Sequence, residues 1–237
     1  MPTSVILKLT PLPSRLPSRT GFPQTVRRLR ASHASVQGLL DNLTDLRAAK
    51  QLQGMKLARL GHAQSDLLRA AIVFSGAGVD AVLKQLVRDT LPRLLRGHAP
   101  TQERWTKFLS ELSKQERTVF AVLKNRSVDD ALLTAYIDSL TTRSLQGHDE
   151  LKNVRDALGL DEIQFSNDRL QGFREFFDAR NTIAHELDLK PSRGQGDAER
   201  RDRNMKPSLE MCDRVFLLLV DYVLATEELM SPRLPAA

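Results

Sequence analysis

From residue 34 onward, apolar positions recur every three or four residues in nearly every segment, and no stretch alternates with the period of two that marks a strand. A first helix is predicted over 34–53, "ASVQGLLDNLTDLRAAKQLQ", with Gly54 and Gly61 bracketing a continuation. Ser65 is placed as the N-cap of a long apolar helix, "DLLRAAIVFSGAGVDAVLKQLVRDTLPRLL", which carries Asp66 in its first turn, where a carboxylate meets the positive end of the helix dipole. "RGHAP" breaks that helix. Two or three helices follow near 101–124, 127–145 and 149–158, separated by "NRSV" and "QGHD". A further helix runs from about 167 to 188, and a polar loop over 190–207 leads to a final helix of 208–230, with Pro207 near its first turn.

Helices without strands or a visible repeat predict an all-α fold, an antiparallel helical bundle, in which the 190–207 loop is long for a helix connection. At 237 residues the chain suits one domain, drawn over 24–230, with 96–160 as an inserted helical middle segment and 231–237 as a C-terminal tail. Residues 1–23 hold Pro2, Pro11, Pro13, Pro17 and Pro23, which oppose a continuous amphipathic helix. They are read as a disordered or loosely attached basic tail. A cleaved, Arg-rich targeting segment is the weaker alternative.

Composition narrows the chemistry. One cysteine, Cys212, allows neither an internal disulfide nor a multi-cysteine zinc site, which fits a reducing cytoplasm. The run "VFLLLVDYVLA" at 215–225 carries Asp221 and is too short to span a bilayer, so no membrane partner is expected. A net charge of +6 and a pI near 9.7 favour an anionic partner, with nucleic acid the first candidate. "GAGVD" lies within a helix pattern and does not follow a strand, so it is no phosphate-binding loop, and no His-Glu-x-x-His zinc motif is present. No metal and no cofactor is expected.

The stretch "FFDARNTIAHELD", 176–188, holds the candidate chemistry. Its Arg–His spacing means little alone, because four of the five histidines have an arginine five positions upstream: Arg28/His33, Arg93/His98, Arg143/His148 and Arg180/His185. Context separates them. His98 and His148 sit at glycine-marked breaks, and His33 lies at the ragged start of the first helix. Arg180 and His185 share one helix, and there alone an asparagine, Asn181, follows the arginine. At about 100° per residue, Leu170, Phe173, Phe177, Ala184 and Leu187 form an apolar face with Arg180 near its middle. A guanidinium there needs a carboxylate or phosphate partner, or a face open to water or to another subunit.

Asp80, amid "AIVFSGAGVDAVLKQLV", is the internal carboxylate that could serve either as a partner for a neighbouring Arg or Lys or as the group orienting Arg180 or His185. The small cluster Ser75, Gly76, Ala77, Gly78 lets another helix approach closely at this level. In the 190–207 loop, Arg193, Arg200, Arg201 and Arg203 are candidate RNA contacts, against the plainer reading of a solvated surface loop.

"RNTIAH", 180–185, in an all-α chain resembles the Arg-x4-6-His motif of the HEPN superfamily, whose motif arginine is often followed by asparagine. "DLLRAAIVFSGAGVDAVLKQLVRD", 66–89, resembles the long second helix of its RiboL-PSP-HEPN branch. The resemblance implies a HEPN-like helical domain that forms a homodimer, with two Arg–His motifs across a shared cleft. It implies a metal-independent endoribonuclease of the toxin–antitoxin or antiphage-defence kind, acting on RNA and controlled by a cognate antitoxin or defence-system partner protein. Arg180 and His185 match the motif pair, Asn181 the polar follower, and Asp80 the second-helix acidic position. Leu187 stands where some members carry a tyrosine that is nucleotidylated, so that modification is not expected. The alternative is a catalytically inactive HEPN-like module that binds nucleic acid or protein.

Overall fold

A computed structural model describes residues 7–17, 22–55, 60–115, 127–190 and 199–231. The described chain is an all-α bundle without a β-sheet, as its periodicity predicts. Its elements are α1 (Pro23–Leu52), α2 (His62–Leu94), α3 (Ala99–Leu112), α4 (Val128–Thr141), α5 (His148–Leu158), α6 (Asn167–Gln171), α7 (Arg174–Glu186) and α8 (Met205–Met230).

The N-terminal expectation is corrected in two ways. α1 begins at Pro23, eleven residues before the expected start, because proline in a first turn gives up an N–H that has no helical partner there. Val26, Leu29, Val36, Leu40 and Leu43 then form its buried stripe. Residues 7–17 are not a loose tail. Leu7, Leu9 and Leu16 are buried in the common core. The Leu9 N–H donates to Gln37 Oε1 at 2.8 Å, and the Thr10 N–H and hydroxyl donate to Asp213 at 2.6 and 2.8 Å. The segment therefore straps α1 to α8. Residues 1–6, 18–21 and 232–237 lie outside the described residues.

α2 is the central helix. It starts three residues before Ser65, with Gly61 as N-cap, whose N–H donates to Gln64 Oε1 at 3.0 Å. Asp66 is consequently not in the first turn and pairs instead with Arg69 and Arg200. By length and hydropathy α2 could cross a membrane, with 56% of its most apolar window buried inside the bundle. Two of its glycines are close-approach points, as the small cluster predicts. A Cβ on Gly78 would stand 3.0 Å from Ser32 Cβ of α1, and one on Gly76 would stand 2.9 Å from Arg180 Cγ of α7.

α3, α4 and α5 build the middle segment, where Trp105, Phe108 and Tyr136 form an aromatic cluster with centroids 4.7–5.7 Å apart. Burial pushes the Tyr136 hydroxyl up to about 12. The expected helix over 101–124 is described only to Leu112, and residues 116–126 lie outside the described residues.

The expected single helix of 167–188 is two helices. Ser166 caps α6, accepting from the Arg169 N–H at 3.2 Å, and α6 ends at Gln171. Arg214 of α8 then donates to the Gly172 carbonyl at 3.2 Å and lies over the Phe173 ring, so a distant arginine takes a carbonyl that a continuous helix would use. The 190–207 loop is also more ordered than expected at its ends. Residues 188–190 face 199–201 as a short antiparallel ladder, with the Lys190 N–H on Glu199 O and the Arg201 N–H on Asp188 O, both 2.8 Å.

Candidate functional site

α7 packs on α2 in antiparallel sense, since Arg180 meets Gly76 while Asp188, just past the end of α7, meets the earlier Arg69. Phe176, Phe177, Ala179 and Ile183 are the buried residues of α7. Arg180 interrupts that face, as the helical spacing predicts. The expected company is not complete: Leu170 belongs to α6, and Ala184 and Leu187 are exposed.

The way Arg180 is accommodated was not expected. Its aliphatic stem fills the space that a side chain on Gly76 would occupy. Nε is buried and has no hydrogen-bond partner, while Nη1 reaches the surface and donates to Asn181 Oδ1 at 2.9 Å. Among the described residues no carboxylate pairs with Arg180. A buried guanidinium donor without an acceptor is costly, so the side chain is held by packing and leaves part of its hydrogen-bonding capacity for an incoming group. His185 lies exposed on the last turn of α7, and no described residue hydrogen-bonds its ring. Asn181, one turn before it, is exposed as well. Asn181 and His185 thus face solvent one turn apart, while Arg180, on the buried side of the same helix, reaches the surface through its guanidinium.

Asp80 does not join these residues. Its Oδ1 accepts the Leu145 N–H at 2.7 Å and its Oδ2 pairs with Lys84 at 2.9 Å. The carboxylate therefore tethers the turn before α5 to α2 instead of orienting Arg180 or His185. Of the two roles open to Asp80 in the sequence, the structure selects the one that fixes packing.

The loop arginines are also engaged elsewhere. Arg203 donates to both oxygens of Asp188, at 2.9 and 2.5 Å, and Arg200 pairs with Asp66 at 2.7 Å. Arg201 lends its backbone N–H to the ladder and lies with its side chain exposed near the Leu189 carbonyl. Arg203 is a structural cation, Arg200 and Arg201 remain at the surface, and Arg193 lies outside the described residues. Sequence reasoning missed this network because its partners are far apart along the chain. Asp188 and Arg69 are separated by 119 residues. The usable signal was an arginine, Arg69, on the mostly apolar helix α2.

Asp188 is fully buried. Burial alone would raise its carboxyl, but hydrogen bonds from Arg203 and Arg69, with their charges, outweigh that and hold it below the usual carboxylate range. Burial also pushes the Cys212 thiol up to about 11, as expected for a core cysteine. A cleft of about 660 Å³ opens between α3, α4 and α5, lined by Arg104, Lys107, Phe108, Tyr136 and Arg143 among others, and includes none of the candidate residues. Among the described residues no group of three His, Cys, Asp or Glu could hold a metal ion. Comparisons with known protein families, curated proteins and solved structures find no match.

Proposed function

We propose that this chain is a HEPN-type, metal-independent endoribonuclease that works as a dimer, in the manner of a toxin or antiphage-defence effector. The observation that carries the reading is Arg180: a guanidinium locked by its stem over Gly76, unpaired with any described carboxylate, beside Asn181 and on the same helix as an imidazole that no described residue engages.

RNA brings its own nucleophile, so these residue types are sufficient. His185 takes the proton from a 2′-hydroxyl, whose oxygen attacks the adjacent phosphorus while the bond to the 5′-oxygen breaks. Arg180 holds the phosphate and stabilises the charge that grows on its nonbridging oxygens. Asn181 fixes the guanidinium through its side-chain oxygen. The departing 5′-oxygen needs a proton, which the second protomer's imidazole supplies. The products are a 2′,3′-cyclic phosphate and a 5′-hydroxyl end.

The outer face of α2 supports the dimer. Ala70, Val73, Phe74, Ala77 and Ala81 make an apolar stripe that the bundle leaves partly or wholly exposed, with Phe74 at 52%. Ala184 follows Arg180 at helical spacing on α7, Leu187 caps the end of that helix, and both are exposed. A second copy seated on this surface covers apolar area that water otherwise meets and brings two Arg180–His185 sets to one cleft. Incubation with tRNA and ribosomal RNA in EDTA, with mapping of the cut ends, tests the reading. Salt-dependent RNA binding without cleavage, unchanged by His185→Ala, would favour the inactive binding module instead.

A further inference from the structure

α7 ends in a conformation its residues do not favour. Leu187 and Asp188 both take left-handed backbone, with φ of 53° and 60°, a region that non-glycine residues other than Asn and Asp seldom enter. The Asp188 N–H reaches back to the Thr182 carbonyl at 3.0 Å, so the closing ring spans 182–188 and His185 stands inside it.

The Asp188 side chain holds this closure in place. Arg69 Nε of α2 donates to Oδ2 at 2.9 Å, Arg203 Nε donates to the same oxygen at 2.9 Å, and Arg203 Nη2 donates to Oδ1. The Asp188 carbonyl takes the Arg201 N–H and begins the ladder to 199–201. Its N–H, its carbonyl and both carboxylate oxygens are thus all engaged, at zero solvent exposure. Arg69 is fixed in turn by Asp66 and by the Arg201 carbonyl. Sliding α7 along α2 would leave buried charges unpaired, which makes the register of its last turn unusually firm. His185 has no partner of its own among the described residues. Whether the last turn of α7 stays wound therefore decides where the imidazole is presented.

We propose that Asp188 is a positioning residue for His185, fixing where the imidazole is presented by clamping the end of α7 to Arg69 and Arg203. A left-handed, over-determined turn next to a reactive group is one way a fold stores placement. The catalytic consequence rests on the ribonuclease reading, while the placement itself does not.

The test uses the full chain as wild type, Asp188→Asn, Arg203→Met and Arg203→Lys, with folding checked by circular dichroism. Backbone NMR reads the ¹³Cα secondary shifts of 180–187, and steady-state RNA cleavage reads kcat and KM. In Asp188→Asn the helical shift at His185 is lost while that at Arg180 stays, kcat falls at least about tenfold and KM stays within about threefold. Arg203→Met behaves similarly, and Arg203→Lys, which keeps one donor to Asp188, recovers most of the loss. If Asp188→Asn does not fold, the two Arg203 variants carry the same measurements. An unchanged helical shift at His185, a loss confined to KM, or equal behaviour of the two Arg203 variants overturns the proposal. A wild type that cuts no RNA, together with a released turn in the variants, retires the ribonuclease reading and leaves the positioning intact.

Discussion

Arg180 and Gly76 are complementary in shape: a Cβ on Gly76 would stand 2.9 Å from the Arg180 Cγ, inside the distance that real Cβ contacts keep. Gly76→Ala separates fold from function for this reason. Alanine in a helix interior gains about 1 kcal/mol over glycine, which offsets part of the clash. The clash falls on Cγ, close to the Arg180 backbone, so the guanidinium must swing away from its seat. The expected outcome is a melting temperature within a few degrees of wild type and RNA cleavage reduced at least about tenfold. Full activity in this variant would remove Arg180's placement from the account.

Phe74 supplies a test of the dimer. It is 52% exposed on the outer stripe of α2, so Phe74→Arg disturbs little inside one copy and changes stability by no more than about 0.5 kcal/mol. Light scattering on a sizing column is expected to show a dimer for wild type and a monomer for the variant, with cleavage lost in parallel. A variant that remains dimeric places the interface elsewhere.

Asp80 tests the opposite expectation. Asp80→Ala removes the acceptor of the Leu145 N–H and the partner of Lys84, at a cost of about 1–3 kcal/mol in denaturant titration. Activity per folded molecule is expected to stay near wild type. A specific loss of kcat at unchanged stability would return Asp80 to the reactive site.

Asp188 gives the fold an acid-sensitive point. Its folded carboxyl is held below the ordinary 3.8, so its contribution to stability is present above that value and is lost as pH falls through the folded one. Asp41 shifts the same way through its hydrogen bond from Lys8, so wild type alone cannot isolate Asp188. Asp188→Asn leaves Arg203 without its carboxylate and Arg69 with Asp66 alone, and costs about 3–5 kcal/mol at neutral pH. Denaturant midpoints measured from pH 6 downward are expected to converge below about pH 4, because only wild type still has that carboxylate to protonate.

The helices were legible because their signal is local. Val36, Leu40 and Leu43, or Phe176, Phe177 and Ile183, recur at helical spacing, and the fold buries them. The constellation was legible for the same reason, since Arg180, Asn181 and His185 share one helix. What escaped depends on distant partners. The break at Gly172 needs Arg214, forty-two residues on. The strap of 7–17 rests on three leucines in a proline-rich segment whose groove between α1 and α8 no local pattern announces. The arginines of the 199–204 stretch looked available for phosphate because Asp66 and Asp188 lie elsewhere in the sequence.

Cleavage of a broad RNA panel in EDTA, comparing wild type with His185→Ala, reaches the central claim most directly. His185 is exposed and has no partner among the described residues, so its replacement is expected to leave folding within about 0.5 kcal/mol. The account predicts 2′,3′-cyclic phosphate and 5′-hydroxyl ends from wild type and none from the variant. Equal cleavage by both proteins, or none by a dimeric wild type across the whole panel, would contradict it.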